Sequence, residues 1–66
     1  MLIVYNKEVV NLNNVIRFAK ESNNRILFMY ACEEQTELVF PDSETRNTAY
    51  ADIILSYDLG LRRLTL

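Results

Sequence analysis

The fold of this chain is decided by residues 11–24, which read NLNNVIRFAKESNN. Apolar residues recur there at the i, i+3, i+4, i+7 spacing of an amphipathic helix, and Asn11 is a suitable N-cap. Residues 15–18, VIRF, are instead rich in the β-branched and aromatic types that favour strands, and residues 21–24, ESNN, are typical of a turn. We therefore predict a strand over 15–20 that forms a hairpin with the next apolar run.

The segments on either side predict further strands and one helix. Asn6 lies between two short apolar runs and tolerates the positive φ of a tight turn. Pro41 ends the last strand of the sheet, because proline cannot donate to a strand ladder. Asp42 or Ser43 can cap the helix, and Gly60 can end it. The predicted strands are residues 2–5, 9–12, 15–20, 25–32 and 37–40, the predicted helix is 44–59, and 61–65 is a candidate short strand.

Together these elements predict a single domain, residues 1–66, with an α+β fold. Its main feature is a small antiparallel β-sheet, a ββββ meander, with one C-terminal α-helix packed on one face. The alternative is βαββαβ, which follows if residues 12–22 are helical.

Both faces of the predicted sheet are largely apolar. Four-residue turns at 21–24 and 33–36 would pair Lys20 with Arg25 and Cys32 with Glu37. One face, the expected seat of the helix, then carries Ile16, Phe18, Leu27, Met29, Ala31, Leu38 and Phe40. The other face carries Val15, Arg17, Ala19, Ile26, Phe28, Tyr30, Cys32, Glu37 and Val39. A slip of one residue in this register would exchange the two faces.

The predicted helix also has more apolar surface than one sheet can cover. One stripe consists of Ala49, Tyr50, Ile53, Ile54 and Tyr57, and a second consists of Ala51, Leu55 and Leu59. A helix on one sheet buries only the first stripe. Because large exposed apolar patches normally mark interaction sites, we expect a homo-oligomer.

Composition supports self-association and limits the function classes. A chain of 66 residues with one Cys and no His lacks an internal disulfide and the commonest zinc ligand, so a second copy is the remaining way to stabilise it. The lone thiol and the absence of a basic leader or a long apolar run predict a cytoplasmic protein that does not enter membranes. A net charge of −2 without a basic patch makes nucleic acid an improbable partner.

Catalytic signatures are missing from the sequence. One Gly cannot supply a nucleotide-binding loop, and without His there is no Ser/His/Asp arrangement. Cys32 is followed by two glutamates, which disfavour the thiolate. We expect neither an enzyme, nor a bound metal, nor a cofactor.

The candidate binding residues are arginines and their aromatic or apolar neighbours. Arg46 lies in the first turn of the helix, where unpaired N–H groups favour anions, and Tyr50 offers a ring for stacking. The alternative for Arg46 is an ion pair with a strand acid. Arg17 is expected on the mixed sheet face. The complete candidate set for a ligand or an interface is Arg17, Phe28, Tyr30, Arg46, Tyr50 and Leu55.

The segments VNLNNVIRF, RILFMY and ELVFPDSETRNTAYADIILSY resemble those of short uncharacterised bacterial and phage accessory proteins. The resemblance is carried by a hydrophobic pattern together with Asn14-Val15, Ser43-Glu44 and Ala49-Tyr50. It implies a phage or prophage protein. Some small proteins of this kind sequester nucleotide immune signals or block host proteins. We accordingly expect a homo-oligomer that sequesters an anionic, nucleotide-like small molecule at subunit interfaces. The alternative is a protein-interaction module, an inhibitor or regulator that docks on one larger protein.

Overall fold

The chain folds into two three-stranded sheets and one helix, and the computed structural model describes residues 1–66. The predicted α+β class is confirmed. The elements are β1 (Leu2–Tyr5), β2 (Glu8–Asn11), a 3₁₀ turn (Leu12–Asn14), β3 (Val15–Glu21), β4 (Arg25–Tyr30), β5 (Gln35–Val39), α1 (Ser43–Asp58) and β6 (Arg63–Thr65).

The segment that decides the fold is a strand preceded by one helical turn. The side chain of Asn11 accepts a hydrogen bond from the N–H of Asn13, 3.1 Å away, and so caps the 3₁₀ turn. The turn ends at Asn14, and the β-branched and aromatic residues that follow form β3. A helix over residues 12–22, and with it the βαββαβ alternative, is therefore wrong.

The single four-stranded meander is also wrong, because the strands divide into two sheets. One sheet has the order β2-β1-β6 and the other β3-β4-β5. The 3₁₀ turn lies between β2 and β3, which do not pair with each other, and β6 returns to pair in parallel with β1, placing Leu64 opposite Ile3. The C-terminal segment thus fills the edge of β1 that β2 leaves open.

The turn between β3 and β4 sets a register one residue away from the predicted one. Only residues 22–24 connect the strands, so Arg25 pairs with Glu21 rather than with Lys20. Asn23 and Asn24 adopt φ values of 61° and 60°, which Asn tolerates better than most residues. This slip exchanges the two faces of β4 relative to the predicted sheet.

The face of β4 that packs against the helix is consequently opposite to the predicted face. Ile26 and Phe28 are completely buried there, whereas Leu27 and Met29, predicted to meet the helix, lie half-buried on the outer face. On β5 the loop after Tyr30 places Leu38 opposite Ile26. The core consists of Ile3, Val10, Leu12, Ile26, Phe28, Leu38, Phe40, Ala49 and Ile53.

A β-bulge at the start of β3 reverses the predicted positions of Val15 and Ile16. Val15 pairs with Tyr30 but Arg17 pairs with Met29, so Ile16 is the extra residue on β3. Val15 therefore packs against the core, and the side chain of Ile16, predicted to lie under the helix, is 69% exposed.

The helix begins and ends as its sequence predicts. The Asp42 carboxylate accepts a hydrogen bond from the N–H of Thr45, 2.7 Å away. After Asp58 the chain turns at Gly60, whose φ of 71° suits glycine. Ala49 and Ile53 are its buried apolar residues. No helix in the fold has the length and apolar character needed to cross a membrane.

Candidate binding groove between the third strand and the helix

A groove of about 350 Å³ runs between β3 and the second half of α1. Its walls are apolar or aromatic except for one positive and one negative side chain. The lining residues are Leu12, Val15, Ile16, Arg17, Phe18, Tyr50, Ile54, Tyr57 and Asp58. We call this the β3–α1 groove.

Aromatic side chains in contact support the groove, one pair stacked and one pair tilted. The ring of Phe18 lies 5.8 Å from the buried ring of Phe28 and 5.5 Å from that of Tyr50, measured between centroids. The Nζ atom of Lys20 lies 5.3 Å from the centroid of Tyr50. Phe18 on β3 thus contacts both Phe28 on β4 and Tyr50 on α1. These contacts connect the buried core to the surface of the groove.

The rim of the groove exposes large apolar side chains to solvent. Ile16 is 69% exposed, Tyr57 is 64% exposed and Ile54 is 42% exposed. Ile54 and Tyr57 are three residues apart and share one flank of the helix, and the bulge turns Ile16 outward beside them. Single exposed apolar residues are ordinary, but three around one groove form a patch of the kind that marks interaction surfaces.

The two charged residues of the groove have no partner within the chain. Arg17 is on the strand wall and Asp58 is on the helix wall. The single salt bridge of the molecule joins Arg25 to Glu37, with 2.9 Å between the Nη1 and Oε2 atoms. Both groove charges therefore remain available to a molecule that enters the groove.

Arg46 is held outside the groove by the backbone of the β3–β4 hairpin. Its Nη1 atom donates to the carbonyl oxygens of Glu21, at 2.7 Å, and Arg25, at 3.2 Å, and its Nε atom donates to Asn47 Oδ1 at 2.7 Å. The expected ion pair with a strand acid is absent, since the acceptors are carbonyl groups. These hydrogen bonds attach the first turns of the helix to the hairpin.

The predicted site residues do not converge as a set. Arg17 and Tyr50 do meet in the groove, although Arg17 lies on the face of β3 opposite to Phe28. Phe28 is completely buried and cannot touch a ligand or a partner. The Tyr30 hydroxyl is 3.0 Å from Thr36 Oγ1, outside the groove. Leu55 is 58% exposed about 200° around the helix from the buried Ile53.

Among the exposed residues of the groove, sequence reasoning missed Ile16, Ile54, Tyr57 and Asp58, for three different reasons. Ile54 and Tyr57 were assigned to the buried stripe of the helix, but the sheet is too narrow to cover them, and only Ala49 and Ile53 of that stripe are buried. Ile16 was misplaced because no residue in its segment signals the bulge. Asp58 had no signal other than its position at the end of the helix.

The opposite flank of the helix borders a different hollow, of about 430 Å³, that combines acids with aromatic rings. Its floor includes Tyr5 and Phe40, whose ring centroids lie 4.5 Å apart. Asp42, Glu44 and Asp52 line it. No group of three or more Cys, Asp and Glu side chains in the chain is arranged to hold a metal ion.

In comparisons with known proteins, no family model, no curated protein and no solved structure matches this chain.

Proposed function

We propose that this chain is a small, non-catalytic binding protein that acts as a homo-oligomer and associates through the β3–α1 groove. The observation that carries the proposal is the exposure of Ile16, Ile54 and Tyr57 around one groove. A second copy of the chain is a fitting occupant because the groove offers one charge of each sign beside its apolar rim.

The energetics of such an association are modest. Complete burial of a large apolar side chain contributes about 1.5–3 kcal/mol, and these three side chains are already partly covered. Two copies of the rim together contribute several kcal/mol, which is comparable with the lower end of the ~4–15 kcal/mol cost of association. Since a Kd of 1 μM corresponds to about −8 kcal/mol, micromolar self-association requires that the other residues of the groove contribute as well, and nanomolar association is not expected.

Sedimentation velocity over a concentration series tests the proposal. Ile16→Glu places a charge in the rim and should shift the chain toward the monomer. Val39→Glu is the matched control, since Val39 is 58% exposed on a strand of the same sheet but lies outside the groove. Wild-type protein that remains monomeric at tens of micromolar, or equal dissociation of both variants, contradicts the proposal.

The ligand that we propose for the oligomer is an anionic, nucleotide-like small molecule held at the subunit junction. Arg17 supports this, because its unpaired guanidinium lies in the same groove as the rings of Tyr50 and Tyr57. A guanidinium can bind a phosphate through two hydrogen bonds, and aromatic rings can stack on a base. A panel of nucleotides should raise the melting temperature of the wild type but not of Arg17→Ala.

The alternative function is a protein-interaction module that inhibits or regulates a larger protein. The exposed, partly apolar outer face of β3, β4 and β5 favours it, since no element of this chain packs there. A monomer in solution that recovers one stoichiometric partner, with binding abolished by Val39→Glu in a folded variant, would support this alternative. The proposed phage or prophage setting rests on the sequence resemblance alone.

A further inference from the structure

We infer that self-association is isologous: a two-fold axis pairs Arg17 of one copy with Asp58 of the other, and the reverse pair forms by symmetry. This inference rests on the proposed self-association and adds its geometry; it competes with the proposed nucleotide site, because a guanidinium paired with a carboxylate of the second copy is not free to bind a phosphate. In a two-fold interface a contact between two different residues occurs twice, once in each direction, because the same surface is used by both copies. A surface that carries one positive and one negative group can match itself in this way.

The placement of the two charges fits this symmetry. Arg17 is on the strand wall of the groove and Asp58 is on the helix wall, and within one chain they form neither a hydrogen bond nor a salt bridge. A two-fold axis that runs along the groove places the strand wall of one copy against the helix wall of the other. Each guanidinium then faces a carboxylate, and the apolar rims of the two copies meet between the pairs.

The position of Asp58 gives an independent reason for an external cation. Asp58 is the last residue of α1, where the helix dipole presents its negative end and disfavours a carboxylate. The last turn of the helix contains no basic residue that could compensate for it. Arg17 of a second copy would supply the missing positive charge at this end of the helix.

A charge exchange tests the inference directly. Arg17→Asp and Asp58→Arg each place like charges opposite one another in their own homodimers, so each variant alone should associate at least about tenfold more weakly than the wild type. Their equimolar mixture should form a heterodimer, because every pair across the interface is again one acid and one arginine. Native mass spectrometry distinguishes the heterodimer from the two homodimers.

Asp52→Arg is the matched control, since Asp52 is an exposed carboxylate of the same helix that lines the opposite hollow. It should leave self-association unchanged. Circular dichroism confirms that each variant is folded before its association is measured.

The outcomes separate the inference from the proposed function. If the mixture associates as weakly as each single variant while Ile16→Glu still dissociates the wild type, the pairing is wrong and self-association stands. Oligomers that grow without limit with concentration would indicate head-to-tail contacts and overturn the two-fold symmetry. A wild type that is monomeric throughout overturns both.

Discussion

The two flanks of the single helix differ in chemistry, and the proposed self-association favours one of them over the other. One flank, with Tyr50, Ile54 and Tyr57, borders the β3–α1 groove and is apolar. The other flank borders the hollow that contains Asp42, Glu44 and Asp52, and it is acidic. Two acidic flanks placed together would repel each other, whereas two apolar flanks gain from contact.

The difference shows that a narrow sheet leaves both flanks of a helix exposed, with a different chemistry on each. Between the two flanks runs the line of residues that the helix buries, Ala49 and Ile53 among them. Most residues to either side of that line are exposed and do not contribute to the core. We expect the largest effect from a substitution in the shared line, a smaller one at the contact between the helix and the β3–β4 hairpin, and the smallest on the acidic side.

Ile53→Ala should have the largest effect on stability, because Ile53 belongs to the buried line of the helix between the two flanks. Ile53 is completely buried, and truncation of such a residue costs about 2–5 kcal/mol of unfolding free energy. For a chain of this size each kcal/mol lowers the melting temperature by about 4–8 °C. Thermal unfolding followed by circular dichroism measures the loss.

Leu55→Ala is the control for Ile53→Ala. Leu55 is an aliphatic residue of the same helix but is 58% exposed, so the substitution should change stability by no more than about 0.5 kcal/mol. Equal losses in the two variants would show that the buried line of the helix has been misassigned.

Arg46→Ala should have an intermediate effect on stability, through the end of the helix that meets the β3–β4 hairpin. The substitution leaves the carbonyl groups of Glu21 and Arg25 without their side-chain donor. Hydrogen bonds that involve a charged group contribute about 1.5–3 kcal/mol when partly shielded from water, so we expect a loss of about 1–3 kcal/mol. Chemical denaturation measures it.

A matched comparison for Arg46→Ala is Arg62→Ala. Arg62 is exposed and its side chain makes no hydrogen bond or salt bridge, so its removal should be close to neutral. Hydrogen exchange in Arg46→Ala should also increase first in the turn after Glu21. Unchanged protection in that turn would count against the fixing role of Arg46.

Local signals in the sequence predicted the local structure well. Asp42 and Gly60 marked the ends of the helix, because capping depends only on residues within one turn of each end. The strand over residues 15–21 followed from β-branched and aromatic residues in the same way. Each of these features is determined by a few neighbouring residues.

The residues that line the groove depend on strand register and long-range pairing, which no short segment of sequence determines. A difference of one residue in the turn at Asn23 and Asn24 exchanged the faces of β4, and the bulge then reversed Ile16 and Val15. The parallel pairing of β6 with β1 joins the two ends of the chain. Register and long-range pairing reflect the whole packed core, so the candidate set includes Arg17 and Tyr50, which line the groove, but omits Ile16, Ile54 and Tyr57.

The smallest predicted effect belongs to the acidic flank and depends on pH. The pKa of Asp42 lies below its ordinary value of 3.8, because the backbone N–H of Thr45, and then the Thr45 side chain, donate to its carboxylate. The contribution of this carboxylate to folding is therefore complete above the ordinary pKa. It declines as the pH falls through the lower pKa of the folded state.

Asp42→Asn isolates this contribution, because an asparagine amide caps a helix but does not titrate in this range. The wild type should exceed the variant in melting temperature by a margin that is constant near neutral pH and shrinks as the solution becomes strongly acidic. Asp52→Asn should not lower the melting temperature by a comparable margin, because the Asp52 side chain does not cap the helix. A margin for Asp42 that does not change with pH would show that ionisation of this carboxylate makes no contribution to folding, and the contrast between Asp42 and the other acids of that flank would be lost.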